Sequence, residues 1–257
     1  MSASRRGVLV TGASRGIGRA AARGFAARGD RVAVHFGRDR ASAEATLALL
    51  PGAGHAIVQA DLADSDAARA LVDDAVGAIG DIDVLVNNAA AAPNEGNVHR
   101  PDAGAFEDWA AAWQLMVQVN LLGAAHTSWA FARHLIAREA PGAIVNVGSR
   151  GAFRGEADHP AYGATKAALH ALGQSLAIAL APHGISVTSV APGFVSTDRQ
   201  QGKLSGASGA ALRGESPFGR VGTPEDVAAA IVHLASPEAR WSSGAVLDVN
   251  GASYLRT

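Results

Sequence analysis

Short runs of apolar residues, many of them β-branched, recur along the whole chain and predict buried β-strands. These runs lie at positions 8–10, 32–36, 56–58, 84–86, 144–147, 185–190 and 246–249. Segments rich in alanine and leucine separate most of them, and their apolar positions have helical spacing, as in the segment 17–25. Continuous apolar strands that alternate with helices are typical of a parallel sheet covered on both faces. The pattern therefore predicts an α/β, doubly wound fold in which a seven-stranded parallel sheet carries helices on both faces.

The domain organisation follows from length and from the even distribution of these elements. The chain has 257 residues, and no linker-like change in composition separates two groups of strands, so we expect one domain over 1–257. The stretch 200–214 is rich in glycine, serine and alanine and follows the sixth predicted strand. Two interpretations stay open for it: a disordered surface loop, or a substrate lid near 198–218 that closes over the site.

Charge and cysteine content narrow the possible classes of function. Charged residues make up 18% of the chain and the formal net charge is -1, so neither disorder nor a nucleic-acid-binding surface is expected. The chain has no cysteine, which excludes disulfides and cysteine metal sites and permits a reducing compartment. No signal-peptide segment opens the sequence, and no uncharged apolar stretch reaches about 18 residues. We therefore expect a cytoplasmic protein without a membrane span.

The segment TGASRGIG, from Thr11 to Gly18, joins the first predicted strand to the first predicted helix. A helix N-terminus offers unpaired backbone N–H groups and a partial positive charge, and glycines let a phosphate come close to that backbone. The segment is therefore typical of the nucleotide-binding turn of a Rossmann fold. A tight turn that binds nothing has the same glycines, so other residues must decide between the two interpretations.

Tyr162 and Lys166 are four positions apart in a predicted helix and therefore share one of its faces. A phenol has a pKa of about 10, too high for efficient proton exchange at neutral pH, and a nearby ammonium group lowers it. Alone, the pair is also compatible with a surface tyrosine beside a solvated lysine. Ser149, however, follows the fifth predicted strand at the carboxyl edge of the sheet, where ligands bind in this architecture.

Several motifs, in order and over nearly the whole chain, together resemble the short-chain dehydrogenase/reductase family. They are TGASRGIG, the segment Asn87-Asn88-Ala89-Ala90 after the fourth strand, Ser149, and the pair Tyr162 and Lys166. The resemblance implies an oxidoreductase that transfers a hydride between a nicotinamide cofactor and a carbonyl or secondary alcohol. It does not identify the substrate.

The resemblance implies a role for each of four catalytic residues. Tyr162 would be the general acid in carbonyl reduction and the general base in alcohol oxidation. Lys166 would lower the pKa of Tyr162 and hold the nicotinamide ribose, and Ser149 would hydrogen-bond the substrate oxygen. Asn120 would interrupt a helix and anchor a water molecule that links Lys166 to solvent.

The resemblance also implies a set of cofactor contacts. They are Gly12, Ser14, Gly16, Ile17 and Gly18 near the pyrophosphate, Asp61 and Leu62 at adenine, Asn87 and Ala89 after the fourth strand, Tyr162 and Lys166, and Pro192, Gly193, Val195 and Thr197 near the nicotinamide. Val195 would meet the carboxamide through its backbone, and Thr197 would help to fix the nicotinamide ring. No metal ion is expected, because hydride transfer with a tyrosine acid needs none and the histidines lack metal-ligand spacing.

The residues after the second predicted strand favour NADP(H), with NAD(H) possible. NAD-preferring proteins of this architecture place an acidic residue at the end of that strand, where its charge repels a 2′-phosphate. Here the strand ends at Gly37 without one, Arg38 follows, and Arg15 lies in the glycine turn, so two guanidinium groups could bind the phosphate. Asp39 leaves the opposite interpretation open, because its carboxylate could contact the ribose and restore NAD binding.

The chain departs from the family pattern at two places. Ala90 stands where glycine is usual, and the distance from Asn87 to Asn120 is longer than the family pattern. The additional residues fall near 92–108, either as a solvated loop or as an insert that contacts substrate.

Other functions stay open beside an NADP(H)-dependent ketoreductase or alcohol dehydrogenase. One is an NAD-preferring sugar or polyol dehydrogenase. A second is a catalytically silent, nucleotide-binding regulatory protein, which we would expect to lack Tyr162 or Lys166, and this chain has both. A third is dehydration or epimerisation with a bound nicotinamide, for which family members commonly carry a longer C-terminal substrate domain.

The expected partners are a small-molecule substrate and further copies of the chain. The residues expected around the substrate are Arg150, Phe153, Arg154, His159, Phe194 and the 200–214 stretch. Apolar helices near 113–137 and 161–181 predict a homotetramer or homodimer, since exposed apolar surface marks an interface. Neither nucleic acid nor a membrane is an expected partner.

Overall fold

A parallel β-sheet of seven strands, in the order β3-β2-β1-β4-β5-β6-β7, forms the centre of the computed structural model, which describes residues 5–197, 204–205 and 209–256. Its strands are β1 (Gly7–Val10), β2 (Arg31–Phe36), β3 (Ala56–Gln59), β4 (Val84–Asn87), β5 (Gly142–Val147), β6 (Ile185–Pro192) and β7 (Val246–Val249). Each predicted apolar run lies within one of these strands, and all neighbouring strands are parallel. The predicted sheet and the doubly wound α/β fold are therefore confirmed.

Helices cover both faces of the sheet. The α-helices are α1 (Gly16–Ala27), α2 (Arg40–Ala48), α3 (Ser65–Ile79), α4 (Phe106–Val117), α5 (Gly123–Ala137), α6 (Gly151–Arg154), α7 (Pro160–Leu180), α8 (Gly209–Gly214) and α9 (Pro224–Leu234). Short 3-10 helices span Glu95–Asn97, Ala181–His183 and Pro237–Ser242, and a π-helical turn, Gln118–Leu122, separates α4 from α5.

The two faces of the sheet carry separate hydrophobic cores, because successive side chains of a strand point to opposite faces. Val8 and Val10 of β1 pack with Phe25 in a core that includes residues of α1, α2 and α9. Leu9, between them, packs with Leu71 in a second core that includes residues of α3, α5 and α7. Burial on both faces explains why the strands are continuous apolar runs without polar alternation.

Strands β2 and β3 are added on one side of β1, and β4 and the later strands are added on its other side, so that β1 lies between β2 and β4. This reversal of direction leaves a crevice beyond the carboxyl ends of β1 and β4. Thr11 holds the crevice together, because its backbone N–H donates to the Val86 carbonyl oxygen at 2.9 Å. Its Oγ1 atom accepts from the N–H groups of Asn88 and Ala89 at 2.9 and 3.0 Å.

Side-chain caps fix where two of the helices begin. The Asp39 carboxylate accepts from the backbone N–H of Ser42 at 3.0 Å and from its hydroxyl at 2.7 Å, so it caps α2. Before α9, Thr223 Oγ1 accepts from the Asp226 N–H at 3.1 Å, and the Asp226 carboxylate accepts from the Thr223 N–H at 2.8 Å. This reciprocal pair is a capping box.

Two predictions about organisation stay predictions. The lid near 198–218 falls partly on 198–203 and 206–208, which lie outside the described residues, while part of the remainder forms α8. The single domain over 1–257 is likewise untested. Within 5–197, 204–205 and 209–256, no helix is long and apolar enough to span a membrane.

Candidate active site

A cleft of about 420 Å³ opens at the carboxyl ends of the strands, where the sequence analysis expected a ligand. The predicted cofactor and catalytic residues that line it are Gly12, Ser14, Arg15, Gly16, Ile17, Asp61, Leu62, Ala89, Ser149, Tyr162, Lys166, Pro192, Gly193, Val195 and Thr197. Four other predicted residues do not line it, namely Gly18, Arg38, Asn87 and Asn120. The fold thus brings the glycine turn and the expected catalytic group into one cleft.

The glycine turn can accommodate a phosphate because its glycines carry no side chains and its backbone packs closely against neighbouring segments. Gly12 and Gly16 have φ of 62° and 55°, a region that side chains disfavour. A Cβ atom on Gly12 would lie 2.8 Å from the Cα atom of Ala89, and one on Gly18 would collide with the Gly12 carbonyl oxygen. Helix α1 begins at Gly16, and its N-cap residue, Arg15, makes no side-chain capping bond. Its N–H groups therefore remain available to an anion at the cleft.

His35, at the end of β2, is a residue of the cleft that the sequence analysis did not identify. The side chain is 2% exposed, its Nδ1 atom accepts from the Gly12 N–H at 3.0 Å, and its Nε2 atom donates to the Ala60 carbonyl oxygen at 3.1 Å. Burial lowers the pKa of His35 to about 4, so the ring is neutral at pH 7. It joins the glycine turn to the ends of β2 and β3. The one feature of the sequence that could have identified His35 is that a histidine interrupts an apolar run.

The two asparagines after β4 have different roles, since consecutive side chains leave the strand in opposite directions. Asn88 lines the cleft, and its Nδ2 atom donates to the carbonyl oxygens of Thr11 and Gly12 at 2.9 and 3.1 Å. The Nδ2 atom of Asn87 donates to Ser128 Oγ and to Asn146 Oδ1, both at 2.9 Å. Asn88 therefore supports the glycine turn, whereas the side chain of Asn87 is buried behind the cleft.

Lys166 and Tyr162 project from α7 beside the carboxyl end of β5. Lys166 is 2% exposed, and its Nζ atom donates to the Val147 carbonyl oxygen at 2.7 Å. Burial lowers the pKa of Lys166 to about 8. Its Nζ atom lies 5.7 Å from the centroid of the Tyr162 ring. The arrangement places a desolvated cationic group against a phenol, in a site that solvent reaches through the cleft.

Ser149 lies two residues beyond β5 and lines the same cleft as Tyr162. Its Oγ atom accepts from the Gly151 N–H at 3.0 Å. A hydroxyl that accepts in this way can still donate its own proton. Ser149 can therefore donate a hydrogen bond to an oxygen atom in the cleft.

Asn120 is buried in the π-helical turn between α4 and α5 and does not line the cleft. Its Oδ1 atom accepts from the Ala91 N–H at 2.7 Å, and its Nδ2 atom donates to Thr165 Oγ1 at 3.2 Å. Thr165 directly precedes Lys166 in α7. Asn120 therefore connects the loop after β4 to the helix that carries Lys166.

The segment after β6 closes the cleft from the other side. Val195 pairs with Gly222 in a short parallel bridge. A Cβ atom on Gly16 would lie 3.2 Å from the Cγ2 atom of Thr197. This segment therefore lies against the glycine turn, and Phe194 lines the cleft beside it.

Most of the side chains that were expected around a substrate do not line the cleft. Among the five individually named residues only Phe194 lines the cleft, while Arg150, Phe153, Arg154 and His159 do not. Arg150 is buried, forms an ion pair with Glu215 and donates to Ser253 Oγ at 2.6 Å. The described residues that line the cleft also include the uncharged Ala90, Ala92 and Phe194.

Comparison with known proteins agrees with this geometry. The family described as enoyl-(acyl carrier protein) reductase matches residues 12–252. The chain is 42% identical over 255 residues to an L-rhamnose 1-dehydrogenase (NAD(P)(+)) of Azotobacter vinelandii, covering 96% of each chain. It is 38% identical over 250 residues to a cis-4-hydroxycyclohexanecarboxylate dehydrogenase of Sinomonas cyclohexanicum, again covering 96% of each.

A more distant relative acts on a different substrate. The chain is 32% identical over 252 residues to a 3-oxoacyl-[acyl-carrier-protein] reductase of Staphylococcus aureus, covering 97% of this chain and 98% of that one. These relatives are dehydrogenases and reductases of alcohol and carbonyl groups, and their matches cover 96 to 97% of this chain. The chain therefore belongs to the short-chain dehydrogenase/reductase family and is an NAD(P)-dependent oxidoreductase that acts on CH–OH or C=O groups.

Proposed function

We propose that the protein uses NADP(H) to interconvert a secondary hydroxyl and a carbonyl group of a small molecule, with Tyr162 transferring the proton. One observation carries the proposal: Ser149, Tyr162 and Lys166 line the same cleft as the glycine turn at the start of α1. A nicotinamide cofactor, when bound, supplies or takes up the hydride. The protein's own residues handle the proton and the charge that develops on the substrate oxygen.

Lys166 prepares Tyr162 for proton transfer. The pKa of Lys166 is lowered to about 8 by burial, so its amino group remains mostly protonated at neutral pH. A positive charge 5.7 Å from the ring centroid favours the phenolate form of Tyr162. In alcohol oxidation the phenolate takes the hydroxyl proton, and in carbonyl reduction the phenol returns it. The Ser149 hydroxyl donates to the substrate oxygen in both directions.

The preference for NADP(H) is supported by the surroundings of two arginines. Arg38 is 93% exposed, with its guanidinium 3.9 Å from the Asp61 carboxylate. Arg15 lines the cleft and lies 3.7 Å from Asp39. These are long, solvent-screened ion pairs, which a 2′-phosphate can replace with shorter, charge-assisted bonds. Both Asp39 oxygens already accept from Ser42, which disfavours this carboxylate as a ribose ligand.

The substrate class we propose is an uncharged sugar or cyclic alcohol. One similar protein, a dehydrogenase of L-rhamnose, acts on an uncharged sugar. A second, a dehydrogenase of a hydroxycyclohexanecarboxylate, supports only the cyclic alcohol, because that substrate also carries a carboxylate. Arg150 adds to this support, since this buried guanidinium is occupied by Glu215 and Ser253 instead of facing the cleft. An NAD-preferring sugar or polyol dehydrogenase is the second candidate, and it differs only in the cofactor.

A screen for cofactor consumption tests this function. NADPH and NADH are each offered with ketones, and NADP and NAD with sugars and cyclic alcohols, while absorbance at the nicotinamide band is followed. We expect turnover with at least one uncharged cyclic substrate and a higher kcat/KM with the phosphorylated cofactor. Binding of both cofactors without turnover of any sugar or cyclic alcohol would contradict the proposed substrate class.

We also propose that the protein assembles into a homotetramer or homodimer in the cytoplasm. The large apolar side chains of Phe106 and Leu115 on α4, Trp129 on α5 and Ile178 on α7 are exposed, and a second copy would cover such surface. The cytoplasmic location rests on the cysteine-free sequence. Light scattering tests the assembly, and a mass near 26.0 kDa at micromolar concentration would contradict it.

A further inference from the structure

Residues 92–108, the segment that is longer than the family pattern, lie against the start of α7. The backbone N–H of His99 donates to the Asp158 carbonyl oxygen at 3.0 Å. The Arg100 guanidinium also lies 3.3 Å from the Asp158 carboxylate. The segment therefore contacts the residues that lead into α7, the helix of the expected proton donor.

The His99 ring makes two hydrogen bonds that fix its tautomer. Its Nδ1 atom lies 2.7 Å from the Asn97 carbonyl oxygen, and its Nε2 atom lies 3.1 Å from the backbone nitrogen of Ala161. A carbonyl oxygen only accepts and an amide N–H only donates. Nδ1 therefore carries the proton, and Nε2 accepts from the Ala161 N–H.

This second bond caps the start of α7. The first N–H groups of a helix have no partner within the helix, and Pro160 has no N–H at all. His159 occupies the N-cap position without a side-chain capping bond, although its carbonyl oxygen accepts from the Tyr162 N–H at 3.0 Å. Ala161 is 0% exposed, so water cannot replace His99 as the partner of its N–H group.

Neighbouring rings hold the His99 imidazole in place. Its centroid lies 6.0 Å from that of Trp109 and 5.7 Å from that of His159, both with edge-to-face geometry. His159 is fixed in turn, because its Nε2 atom donates to the Asn94 carbonyl oxygen at 3.1 Å. His99 itself is only 3% exposed. The acceptor atom is thus held rigidly at a position 62 residues away in sequence from the amide that it caps.

We infer that His99 is a positioning residue for Tyr162, because its Nε2 atom caps the helix turn from which the phenol projects. Loss of the acceptor leaves the buried Ala161 N–H without a partner, and the first turn of α7 must then shift or fray. Tyr162 is the next residue and moves with that turn. The inference rests on the proposed role of Tyr162 in proton transfer.

The experiment compares two substitutions that differ in one acceptor. His99→Leu fills a similar volume without an acceptor, whereas His99→Gln retains a carbonyl oxygen at comparable reach. We expect His99→Leu to lower kcat about ten- to hundredfold, with KM and the Kd for NADPH within about threefold of wild type. His99→Gln should recover most of the lost kcat. Arg100→Gln, which removes another contact of the same segment, is the matched control and should keep kcat within about threefold.

Several results would overturn the inference. One is a normal kcat in His99→Leu, and another is an equal kcat in His99→Leu and His99→Gln. A loss in Arg100→Gln as large as that in His99→Leu would also do so, because it would show a general effect of loosening the segment. If His99→Leu does not fold, His99→Gln is compared with His99→Asn, whose side chain is too short to reach Ala161. The inference then requires the higher kcat in His99→Gln.

Tyr162→Phe is measured in the same series to separate the two proposals. If Tyr162→Phe keeps its activity, the proposed function of Tyr162 is wrong. If Tyr162→Phe is inactive while His99→Leu has a normal kcat, only the positioning role of His99 is wrong.

Discussion

The Nζ atom of Lys166 lies 5.7 Å from the centroid of the Tyr162 ring and is held there by a 2.7 Å hydrogen bond to the Val147 carbonyl oxygen. Strand β5, which ends at Val147, therefore determines the position of the Lys166 ammonium group, and α7 determines the position of the Tyr162 phenol. Because Lys166 is buried, its charge is less screened than that of a surface lysine. The proton transfer proposed for Tyr162 would consequently depend on the packing of α7 against β5.

Tyr162→Phe should lower kcat by about 10² to 10⁴, because it removes the transferable proton and little else. The Kd for NADPH should stay within a few-fold of the wild-type value. Steady-state kinetics on the best substrate from the screen, together with a fluorescence titration of NADPH, measure the two quantities. A variant that keeps most of its turnover would show that another group transfers the proton.

Lys166→Ala should impair both turnover and cofactor binding. The ammonium group is expected to stabilise the phenolate and to hold the nicotinamide ribose, and a hydrogen bond to a charged group contributes about 1.5 to 3 kcal/mol. We therefore expect the Kd for NADPH to rise about ten- to hundredfold, in addition to a loss of kcat. Tyr162→Phe is the matched comparison, since it should leave the Kd nearly unchanged. An unchanged Kd in Lys166→Ala would remove the ribose contact from the proposal.

Arg38→Asp should shift the cofactor preference towards NADH. The substitution removes a proposed phosphate contact and introduces a carboxylate that repels the 2′-phosphate. The measurement is the ratio of kcat/KM for NADPH to that for NADH, with one ketone as substrate. Arg40→Asp is a control of equal charge change, because Arg40 contacts Glu44 at 2.8 Å, whereas Arg38 lies beside Asp61, which lines the cleft. A wild-type preference for NADH, or equal shifts in both variants, would contradict the assignment of Arg38.

The protein should lose stability as the pH falls from about 6.5 to about 4. Burial lowers the pKa of His35 from 6.5 to about 4, so in this range the unfolded chain binds a proton that the folded chain does not. This residue then contributes a fall of about 3 kcal/mol in the free energy of unfolding over the whole range, and none above it. His170, whose pKa is also lowered to about 4 by burial and then by Lys166, acts in the same direction.

Urea unfolding at several pH values measures this dependence. His35→Gln should flatten the slope below pH 6.5, whereas His233→Gln, an exposed position on α9, should not. Equal slopes in wild type and His35→Gln would show that His35 does not stay neutral in the folded protein.

The fold, and the placement of Tyr162 and Lys166 side by side, could be predicted because their signals are local and periodic. The strands are continuous apolar runs, and the spacing of Tyr162 and Lys166 places both on one helix face. Hydrogen bonds between distant segments carry no such signal. The contacts of His35 with Gly12 and of His99 with Ala161 join residues 23 and 62 positions apart.

The partners of charged side chains could not be predicted from the sequence either. Arg150 follows Ser149 directly, which suggested that it faces the substrate, yet it pairs with Glu215 outside the cleft. Only the three-dimensional packing of the residues before α9 against α6 brings that carboxylate to it. The segment 92–108 likewise gave no sequence pattern that pointed to the start of α7.

The pairing of β1 with β4 has a consequence for how the active protein is made. The register joins Val8 to Val84 and Val10 to Val86, and Thr11 extends it by one further bond. On one side of this seam are the glycine turn and the adenine-side residues, and on the other are Ser149, Tyr162 and Lys166. Contacts between residues so far apart in sequence close late, because their loop entropy must first be overcome. During synthesis, strands β1 to β4 are therefore available for pairing before the segments that carry Ser149, Tyr162 and Lys166 have been made.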